Sequence, residues 1–497
     1  MPGHAYDRLS ALDSSFLVYE SPSDPMHVAA TALYDAAPLR TPEGGVAIES
    51  IRAYVASRLH RIPRYRQRLA WVPLLDHPVW VDDPRFQIEY HVRHTRLPRP
   101  GSERQLKRLV GRILSQQLDR GKPLWEMWVV EGLEGDRFAV VTKTHHCMVD
   151  GVAGADLLAV LMTPEPQREI AASPSWVPRP APGGAQLLVA EAWRRARLPL
   201  ALAGALWRLA RDEDHLRHDL EERGRALGRV LAAGARQASN TPLNQRVGPH
   251  RRTDWFDLAI PDVKEVRNAL GGTLNDVVLA TVAGGLRHFL ARHRGVDVDR
   301  LDFRIFAPVS LRPRDARGIT GNRVSGWLLP LPLDEPDPVR RLARVRHATE
   351  ERKARKDALG VEALTRVPEW TGSGLLSLTA RLMTWGQPFN LVVTNVPGPQ
   401  LPLYLLDSRM LAIYPAVPLL GNLSLGIALF SYDGTLGWGL TADWDLVPDL
   451  HELARALCDA FAELAEAAAA SGRKASPVPS ALESARPPTE EGVGDGA

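Results

Sequence analysis

The chain has 497 residues, 45% of them hydrophobic, which is enough for two or three domains with sizeable cores. Its formal net charge of +3 and pI near 8.9 give a mild basic bias, too small to argue for nucleic-acid binding. Its two cysteines, Cys147 and Cys458, exclude a disulfide-rich scaffold and fit a reducing cytosol.

Neither candidate targeting segment has the composition that its role requires. Residues 1–16 contain Asp7, Arg8 and Asp13 where a signal peptide needs an apolar stretch, so secretion by that route is not expected. The uncharged run 410–432 is long enough to span a bilayer, but prolines and a glycine interrupt it. We predict buried strands and turns there.

The first elements along the chain are a strand and a helix. Residues 26–34 are predicted to be a strand, and we interpret His27 as a surface polar residue in preference to a site residue. Apolar residues then recur at helical spacing from Ile48 to Leu59. The basic run that follows is interpreted as a solvated face, with binding of phosphate groups or anionic lipid as the alternative; its members are Arg61, Arg64, Arg66 and Arg68.

A helix and a β-hairpin come next. An apolar stripe from Leu106 to Leu118 predicts an amphipathic helix that stops at Gly121. Residues 126–130 and 137–144 are rich in β-branched and aromatic residues and are predicted to pair across the turn between them. The second strand of this hairpin is followed directly by a group of side chains that can transfer protons or bind metal.

That group is His145-His146-Cys147-Met148-Val149-Asp150-Gly151, and a helix is predicted after it. A general base needs one imidazole facing the site and a nearby carboxylate, which His146 and Asp150 can supply. A shared metal ion is disfavoured because His145 and His146 are neighbours on a strand and point to opposite faces. In the structural alternative the histidines are hydrogen-bonded core residues and Asp150 caps the following helix. Both the catalytic and the structural interpretation stay open on spacing alone.

A proline-rich stretch separates the two halves of the chain. Residues 163–184 contain six prolines and are predicted to be a linker. Residues 187–209 combine Leu and Val with Arg and are broken by Pro199, so they are too short and too charged to span a bilayer. They are either a membrane-interfacial segment or a helical crossover between domains, and both interpretations stay open.

The second half opens with a helix at Leu274, where Thr273-x-x-Asp276 has the pattern of a capping box. Residues 304–311 are predicted to be a strand, and Arg312 follows directly after it. The last predicted elements are a strand over residues 389–394 with a turn after it, a hairpin at Asp433-Gly434, an amphipathic helix over residues 450–464 and a disordered tail from Ser471.

The motif His145-His146-x-x-x-Asp150-Gly151 resembles the HHxxxDG signature of the bacterial wax ester synthase/diacylglycerol acyltransferase family. That family is a branch of the CoA-dependent acyltransferases, with chloramphenicol acetyltransferase and peptide-synthetase condensation domains. Six further segments resemble the family in the same order, namely Leu12-Asp13 to Phe16, Pro25-Met26-His27, Pro123-Leu124-Trp125, Asn275-Asp276, Pro308 to Arg312, and Thr394-Asn395-Val396-Pro397-Gly398-Pro399. The resemblance covers roughly residues 7–470, and its one departure is Thr394, where the family more often has Ser.

The resemblance implies an α/β fold with mixed sheets, built as two chloramphenicol-acetyltransferase-like domains with a central tunnel between them. The predicted N-terminal acyltransferase domain, which contains the motif, covers residues 1–165, and a linker with a helical crossover covers residues 166–240. The predicted C-terminal acyltransferase domain covers residues 241–470, and a disordered tail covers residues 471–497.

The resemblance also implies an acyl-CoA-dependent O-acyltransferase that forms triacylglycerol, wax esters or both. His146 is then the general base at mid-tunnel, His145 supports the turn, and Asp150 is mainly architectural. Asp150 is predicted to pair with Arg312, by analogy with a structural salt bridge of the superfamily, while Arg304 and Arg314 are rivals. Other supporting residues are Gly151, Asn275 and Asp276, and the substrate-tunnel candidates are Pro123, Leu124, Trp125, Thr394 and Asn395.

No permanently bound cofactor and no metal is expected, and acyl-CoA is a co-substrate. The expected partners are diacylglycerol or a fatty alcohol and a lipid surface, with no nucleic acid, and the expected location is the cytoplasm at the inner face of the membrane or on lipid bodies. Two alternatives are a condensation-type enzyme that uses carrier-protein-bound acyl groups and a non-catalytic lipid-binding protein of the same fold.

Overall fold

The computed structural model describes residues 6–75, 77–148, 160–194, 196, 237–310, 324–354 and 387–472. The strands in chain order are β1 (Tyr6–Arg8), β2 (His27–Asp35), β3 (Gln67–Val72), β4 (His77–Asp82), β5 (Val92–Arg96), β6 (Trp125–Leu133), β7 (Arg137–His145), β8 (Arg251–Ala259), β9 (Arg304–Ser310), β10 (Val324–Pro330), β11 (Leu391–Val396), β12 (Tyr404–Leu405), β13 (Ser408–Ala416), β14 (Leu425–Tyr432) and β15 (Thr435–Asp443). The main helices are α1 (Ala11–Tyr19), α2 (Ile48–Arg58), α3 (Ile88–His91), α4 (Glu103–Ser115), α5 (Ile260–Leu270), α6 (Leu274–Arg294), α7 (Pro338–Ala354) and α8 (Leu450–Ala470).

These strands form two six-stranded sheets and one three-stranded sheet. The first sheet has the order β12-β13-β2-β7-β6-β5 and the second the order β10-β9-β11-β14-β15-β8. Each large sheet combines parallel and antiparallel neighbours, as in the parallel β5–β6 pair beside the antiparallel β6–β7 pair. The predicted α/β class with mixed sheets is therefore confirmed.

The first sheet is completed by strands from the far end of the sequence. The predicted β6–β7 hairpin forms its centre, and β2 pairs with β7 on the other side. Strand β13 then pairs antiparallel with β2, placing Ile413 opposite Ala32. The domain boundaries stay a prediction, but residues 404–416 of the second half lie in the sheet of the first.

The second sheet packs closely against the first because two glycines remove the side chains between them. A Cβ atom on Gly437 would lie 2.3 Å from the carbonyl oxygen of Ile413, and one on Gly439 would lie 1.8 Å from that of Pro415. Glycine is thus required where β15 crosses β13. The hairpin that leads into β15 turns at Asp433 and Gly434, whose φ angles are 43° and 81°, as the predicted two-residue turn requires.

Helix α4 ends sooner than predicted. Its start has a capping box between Ser102 and Gln105, but its last residue is Ser115 and the expected continuation to Leu118 is absent. The side chain of Lys143, fully buried on β7, donates to the carbonyl oxygens of Ile113 and Gln116, both at 3.0 Å. A cation from another strand thereby satisfies carbonyls that a longer helix would have used.

The linker crosses the three-stranded sheet β1-β4-β3. Residues 166–183 have no helix or strand, and a helix over residues 184–194 follows, called here the linker helix. Its Leu187 is buried against Val72, Val79 and Val81. The linker helix is therefore fixed to the first half of the chain by an apolar contact.

The predicted buried strands at residues 410–432 are β13, which is partly buried, and β14, which is almost entirely buried. Among the described residues, no single helix has the length and apolar composition to cross a membrane; helices α5 and α6, bent by 95° at the break between them, meet both criteria only as a pair.

Candidate active site

His145 is the last residue of β7 and is fully buried. Its backbone N–H donates to the carbonyl oxygen of Leu124 at 2.9 Å, and its Nδ1 accepts from the backbone N–H of Cys147 at 3.1 Å. Because Nδ1 accepts, the neutral ring carries its proton on Nε2. That nitrogen lies 3.5 Å from Oε1 of Glu20.

Glu20 is a carboxylate buried among three cationic or imidazole side chains. Its side chain is only 2% exposed, and Oε1 also lies 3.3 Å from Nε2 of His27. Arg120 donates to its other oxygen through Nη2 at 2.8 Å and Nε at 3.1 Å. Burial alone would raise the pKa of Glu20, but its contacts with His145, His27 and Arg120 hold that pKa far below its usual value. Glu20 is therefore ionised and its charge is shared with its neighbours.

His27 is buried, so its interpretation as a surface residue was wrong. It is 4% exposed and stands directly opposite His145 in the pairing of β2 with β7. The two rings meet nearly edge to face, with centroids 5.9 Å apart. Burial lowers the pKa of His27 to about 4, which keeps it uncharged at neutral pH. The residue at the start of β2 is thus drawn inward by the same carboxylate that holds His145.

His146 begins a 3₁₀ turn, so it does not continue the strand on which His145 and His146 were predicted to point to opposite faces. Its backbone N–H donates to the carbonyl oxygen of Met26 at 2.8 Å, and its ring stacks on Phe16 with centroids 3.9 Å apart. The residue is half-buried, and burial lowers its pKa to about 4. Among the residues that the structure describes, none hydrogen-bonds its buried Nδ1. The ring is therefore an uncharged imidazole at neutral pH.

The two neighbouring imidazoles have separate surroundings. His145 is held in the Glu20 cluster, while His146 lies on Phe16 at the start of the turn. Contacts between the halves of the chain occur close by, since Gly421 donates its backbone N–H to Asp24 at 2.8 Å, just before the strand that carries His27. His146 is thus the imidazole outside the Glu20 cluster, near the junction of the two halves, and its Nδ1 has no hydrogen-bond partner among the described residues.

Three predicted site residues lie outside the described part of the chain, namely Asp150, Gly151 and Arg312, as does the rival Arg314. The Asp150–Arg312 pair stays a prediction. The other rival, Arg304, is described, and its guanidinium pairs with Asp302.

Asp276 is the capping residue that the sequence predicted. It is 2% exposed, and its carboxylate accepts from the backbone N–H of Thr273 at 2.8 Å and from the hydroxyl of Thr349 at 2.7 Å. The capping box at the start of α6 is confirmed. Asn275 is half-buried in the first turn of that helix. The role of either residue at an active site stays a prediction.

The tunnel candidates lie on both sheets. Leu124 is adjacent to His145 through its carbonyl, and Pro123 is buried before it. Trp125 is 3% exposed, donates Nε1–H to the carbonyl of Tyr65 at 2.9 Å and stacks on His91, so it is a core residue here. A cavity of about 10 Å³ next to Trp125 and Thr144 has room for about one water molecule.

The remaining two candidates, Thr394 and Asn395, are half-buried on β11 of the second sheet. Val396, which follows them, packs against the core of the first half. The end of β11 is thus next to the first half, while the substrate contacts of these residues stay a prediction.

Comparison with known sequences identifies the family. The profile of the wax ester synthase/diacylglycerol acyltransferase catalytic domain matches residues 9–278, and that of the family's C-terminal domain matches residues 320–465. The chain belongs to the wax ester synthase/diacylglycerol acyltransferase family. It is therefore an acyltransferase, as the motifs predicted.

Individual relatives of this acyltransferase match it over nearly their whole length. A putative diacylglycerol O-acyltransferase of Mycobacterium tuberculosis (strain CDC 1551 / Oshkosh) is 36% identical over 477 residues, which are 93% of this chain and 91% of the relative. A probable diacylglycerol O-acyltransferase of Mycobacterium tuberculosis (strain ATCC 25618 / H37Rv) is 34% identical over 469 residues, with coverage of 92% and 96%.

Solved structures agree with the family assignment. The wax ester synthase/diacylglycerol acyltransferase from Marinobacter aquaeolei VT8 has a TM-score of 0.64 and 26% identity, and covers 93% of this chain and 100% of its own. The first condensation domain of the calcium-dependent antibiotic synthetase, in complex with a substrate analogue, has a TM-score of 0.57 at 16% identity, with coverage of 95% and 98%. The second match shows that this chain shares the fold of a condensation domain.

Sequence reasoning on this acyltransferase missed Glu20 and Arg120. Both are ordinary charged residues in the sequence, and only their burial beside His145 distinguishes them. Their spacing from the HHxxxDG motif could not identify them as site residues, because each lies far from the motif along the chain. As for metals, no group of three potential ligand side chains occurs in the described ranges, and both cysteines are free thiols.

Proposed function

We propose that this acyltransferase moves a long-chain acyl group from acyl-CoA to diacylglycerol, to a long-chain alcohol, or to both, with His146 as the general base. The observation that carries the proposal is the half-buried, uncharged imidazole at the end of β7, whose Nδ1 has no partner among the described residues. A base must be unprotonated at the working pH, and a lowered pKa ensures that. The names of the relatives support the two acceptor classes.

The reaction can then proceed by direct transfer. His146 takes the hydroxyl proton while the acceptor oxygen attacks the thioester carbonyl, and a new C–O bond forms. The C–S bond breaks, and coenzyme A leaves as a thiol with the proton from the imidazolium. The product is an ester, and the protein itself carries no acyl group at any step. His145 contributes by fixing the turn through its bond from the N–H of Cys147.

The test is release of coenzyme A by the purified protein against a panel of diacylglycerols and long-chain alcohols. We expect thiol release that depends on the acceptor, and the panel identifies which acceptor class is used. Transfer from a phosphopantetheinyl carrier protein but not from acyl-CoA would favour the condensation-type alternative. Lipid binding without any thiol release would favour the non-catalytic alternative.

The activity of this enzyme should resist acid further than an ordinary histidine allows. An unperturbed histidine is half protonated near pH 6.5, whereas burial lowers the pKa of His146 to about 4. We therefore expect kcat/KM to stay level from pH 7.5 down to about 5 and its acid limb to lie near pH 4. A pH profile of coenzyme A release checks this, and a midpoint near 6.5 would contradict it.

Stability must be followed in the same buffers, because His146 and His27 both have lowered pKa values in the folded state. Between pH 6.5 and 4 the unfolded chain binds protons that the folded chain does not. The two uncharged histidines therefore make their full contribution to the free energy of unfolding above pH 6.5, and this contribution declines as the pH falls towards 4. Thermal midpoints across that range separate loss of folding from protonation of the base.

We also propose that the protein works in the cytoplasm, attached to the surface of a membrane or lipid body. Its proposed acceptors are sparingly soluble in water, and the linker helix combines a buried Leu187 with outward apolar residues. Val189 is 57% exposed and Trp193 is 64% exposed, four residues apart on one face. Tryptophan and aliphatic side chains on one face of a helix are typical of interfacial binding.

Replacing Val189 and Trp193 together by Glu should weaken binding to liposomes while leaving turnover of a short, soluble alcohol unchanged. The reason is that two charges would replace the apolar contact with the lipid. Liposome flotation and coenzyme A release measure the two effects. The matched control is Gln186→Glu, an exposed position on the same helix. If the double variant floated with liposomes as the wild-type protein does, the linker helix would only connect the two halves and would not bind lipid.

A further inference from the structure

An open groove lies between α2 and the proline-rich segment, and His146 is not among the residues that line it. Its volume is about 380 Å³, within the range of small-molecule sites. Its apolar wall consists of Leu59, Phe86, Ile88, Pro174 and Trp176. Trp176, contributed by the linker, is 36% exposed and meets Phe86 edge to face.

Arg66 lines the same groove and is a buried cation. The residue is 8% exposed, donates Nη2–H to the carbonyl oxygen of Ala56 at 3.2 Å, and holds its guanidinium 5.1 Å from the centre of the Trp176 ring. Burial lowers its pKa. No carboxylate of the described residues lies within ion-pair distance of it. A buried charge without an opposite charge is costly, so this guanidinium is suited to an incoming anion.

Other arginines around it differ in this respect. Arg64 lies 3.6 Å from Asp7, Arg68 lies 4.0 Å from Asp83, and Arg179 lies 3.0 Å from Asp82. Each of them has a carboxylate partner and is more exposed than Arg66. The basic run interpreted from the sequence as a solvated face therefore contains one member that is neither solvated nor paired.

We propose that this groove binds a single-chain lipid with an acidic head group. The carboxylate or phosphate pairs with Arg66, whose planar guanidinium can donate two hydrogen bonds to either group. The acyl chain lies along Phe86, Ile88 and Trp176. Glu89 also lines the groove, but it is exposed, so solvent and salt screen its charge from the ligand.

The site is distinct from the proposed reaction centre. Leu59 lines both the groove and the small cavity beside Thr144, but His146 lines neither space. The inference therefore goes beyond acyl transfer. Binding in the groove should persist in His146→Ala protein, so a failure of the catalytic proposal and a failure of this one can be told apart.

The test is a titration of the full-length protein with lipids below their micelle concentrations. Oleate and an oleoyl lysophosphatidate supply the two head groups, oleyl alcohol supplies the chain without the charge, and inorganic phosphate supplies the charge without the chain. The readout is displacement of a brominated fatty acid from Trp176, so that binding at the proposed acceptor site does not contribute. We expect one or both acidic lipids to bind at least tenfold tighter than oleyl alcohol or phosphate. Arg66→Gln should weaken acidic-lipid binding by about tenfold or more, and the matched control Arg68→Gln should not.

Location is read from tryptophan fluorescence with 9,10-dibromostearate, whose bromines quench nearby indoles. We expect a quenched component in the wild-type protein that Trp176→Phe removes. Quenching unaffected by Trp176→Phe, or oleate affinity unaffected by Arg66→Gln in a protein of normal thermal midpoint, would overturn the proposal. Should Arg66→Gln fail to fold, displacement of the brominated fatty acid from Trp176 in the wild-type protein still decides: oleyl alcohol that displaces it as effectively as the acidic lipids would also overturn the proposal.

Discussion

His146→Ala should lower the turnover of acyl transfer by about 10² to 10⁴ while the protein stays folded. The ring packs mainly on Phe16, and its Nδ1 has no described hydrogen-bond partner, so its removal disturbs few structural contacts. Loss of the base, in contrast, leaves the acceptor hydroxyl without a group to take its proton. Coenzyme A release at saturating substrate and the thermal midpoint measure the two consequences on the same preparation.

His145→Ala is the matched comparison and should show the opposite balance. This ring is fully buried, accepts the N–H of Cys147 and faces Glu20, so its loss removes contacts that hold the turn. We expect a larger fall in thermal midpoint and a smaller fall in turnover than for His146→Ala. A folded His146→Ala enzyme with near-normal turnover would end the proposed mechanism.

Local sequence patterns predicted the parts of the fold that depend on neighbouring residues. The β6–β7 hairpin, the turn at Asp433-Gly434 and the capping box at Thr273 all follow from chemistry within a few positions. Each is a case in which turn residues or alternating hydrophobicity determine the backbone on their own. The family motifs then supplied the fold class and the enzyme class.

Long-range contacts explain what local patterns could not predict. Nothing near Ile413 indicates that β13 pairs with β2, because the pairing depends on the packing of the whole molecule. Helix α4 likewise ends at Ser115 because Lys143, from a different strand, takes its last carbonyl groups. In the second case a tertiary contact overrides a local preference.

The histidines illustrate the same limit inside the candidate site. Strand alternation placed His145 and His146 on opposite faces of one strand, but β7 ends at His145 and a 3₁₀ turn follows. The turn is fixed by the bond from the N–H of His146 to Met26 and by the contact of His145 with Glu20. Since both partners come from the start of the chain, the strand end could not be located from the motif itself.

Glu20 is consequently the residue whose change tests this arrangement most directly. It is the only carboxylate among the described residues that lies within 4 Å of a ring nitrogen of His145, and the same carboxylate reaches His27 and Arg120. Its pKa is held far below the usual value, so it is charged throughout the neutral range. Its stabilising contribution is complete above the pKa of an unfolded Glu, near 4.3, and declines as the pH falls below that value.

Glu20→Ala should therefore lower the free energy of unfolding at pH 7 by about 3 to 5 kcal/mol, because it leaves buried partners without their anion. Turnover should fall as well, since His145 would no longer fix the turn that presents His146. Denaturant unfolding and coenzyme A release measure both. The matched control is Glu49→Ala, whose carboxylate is 77% exposed beside Arg52 and which should change stability by less than about 1 kcal/mol. If Glu20→Ala were as stable and as active as Glu49→Ala, the buried cluster would have no part in holding the site, and the position of His146 would have to depend on the turn alone.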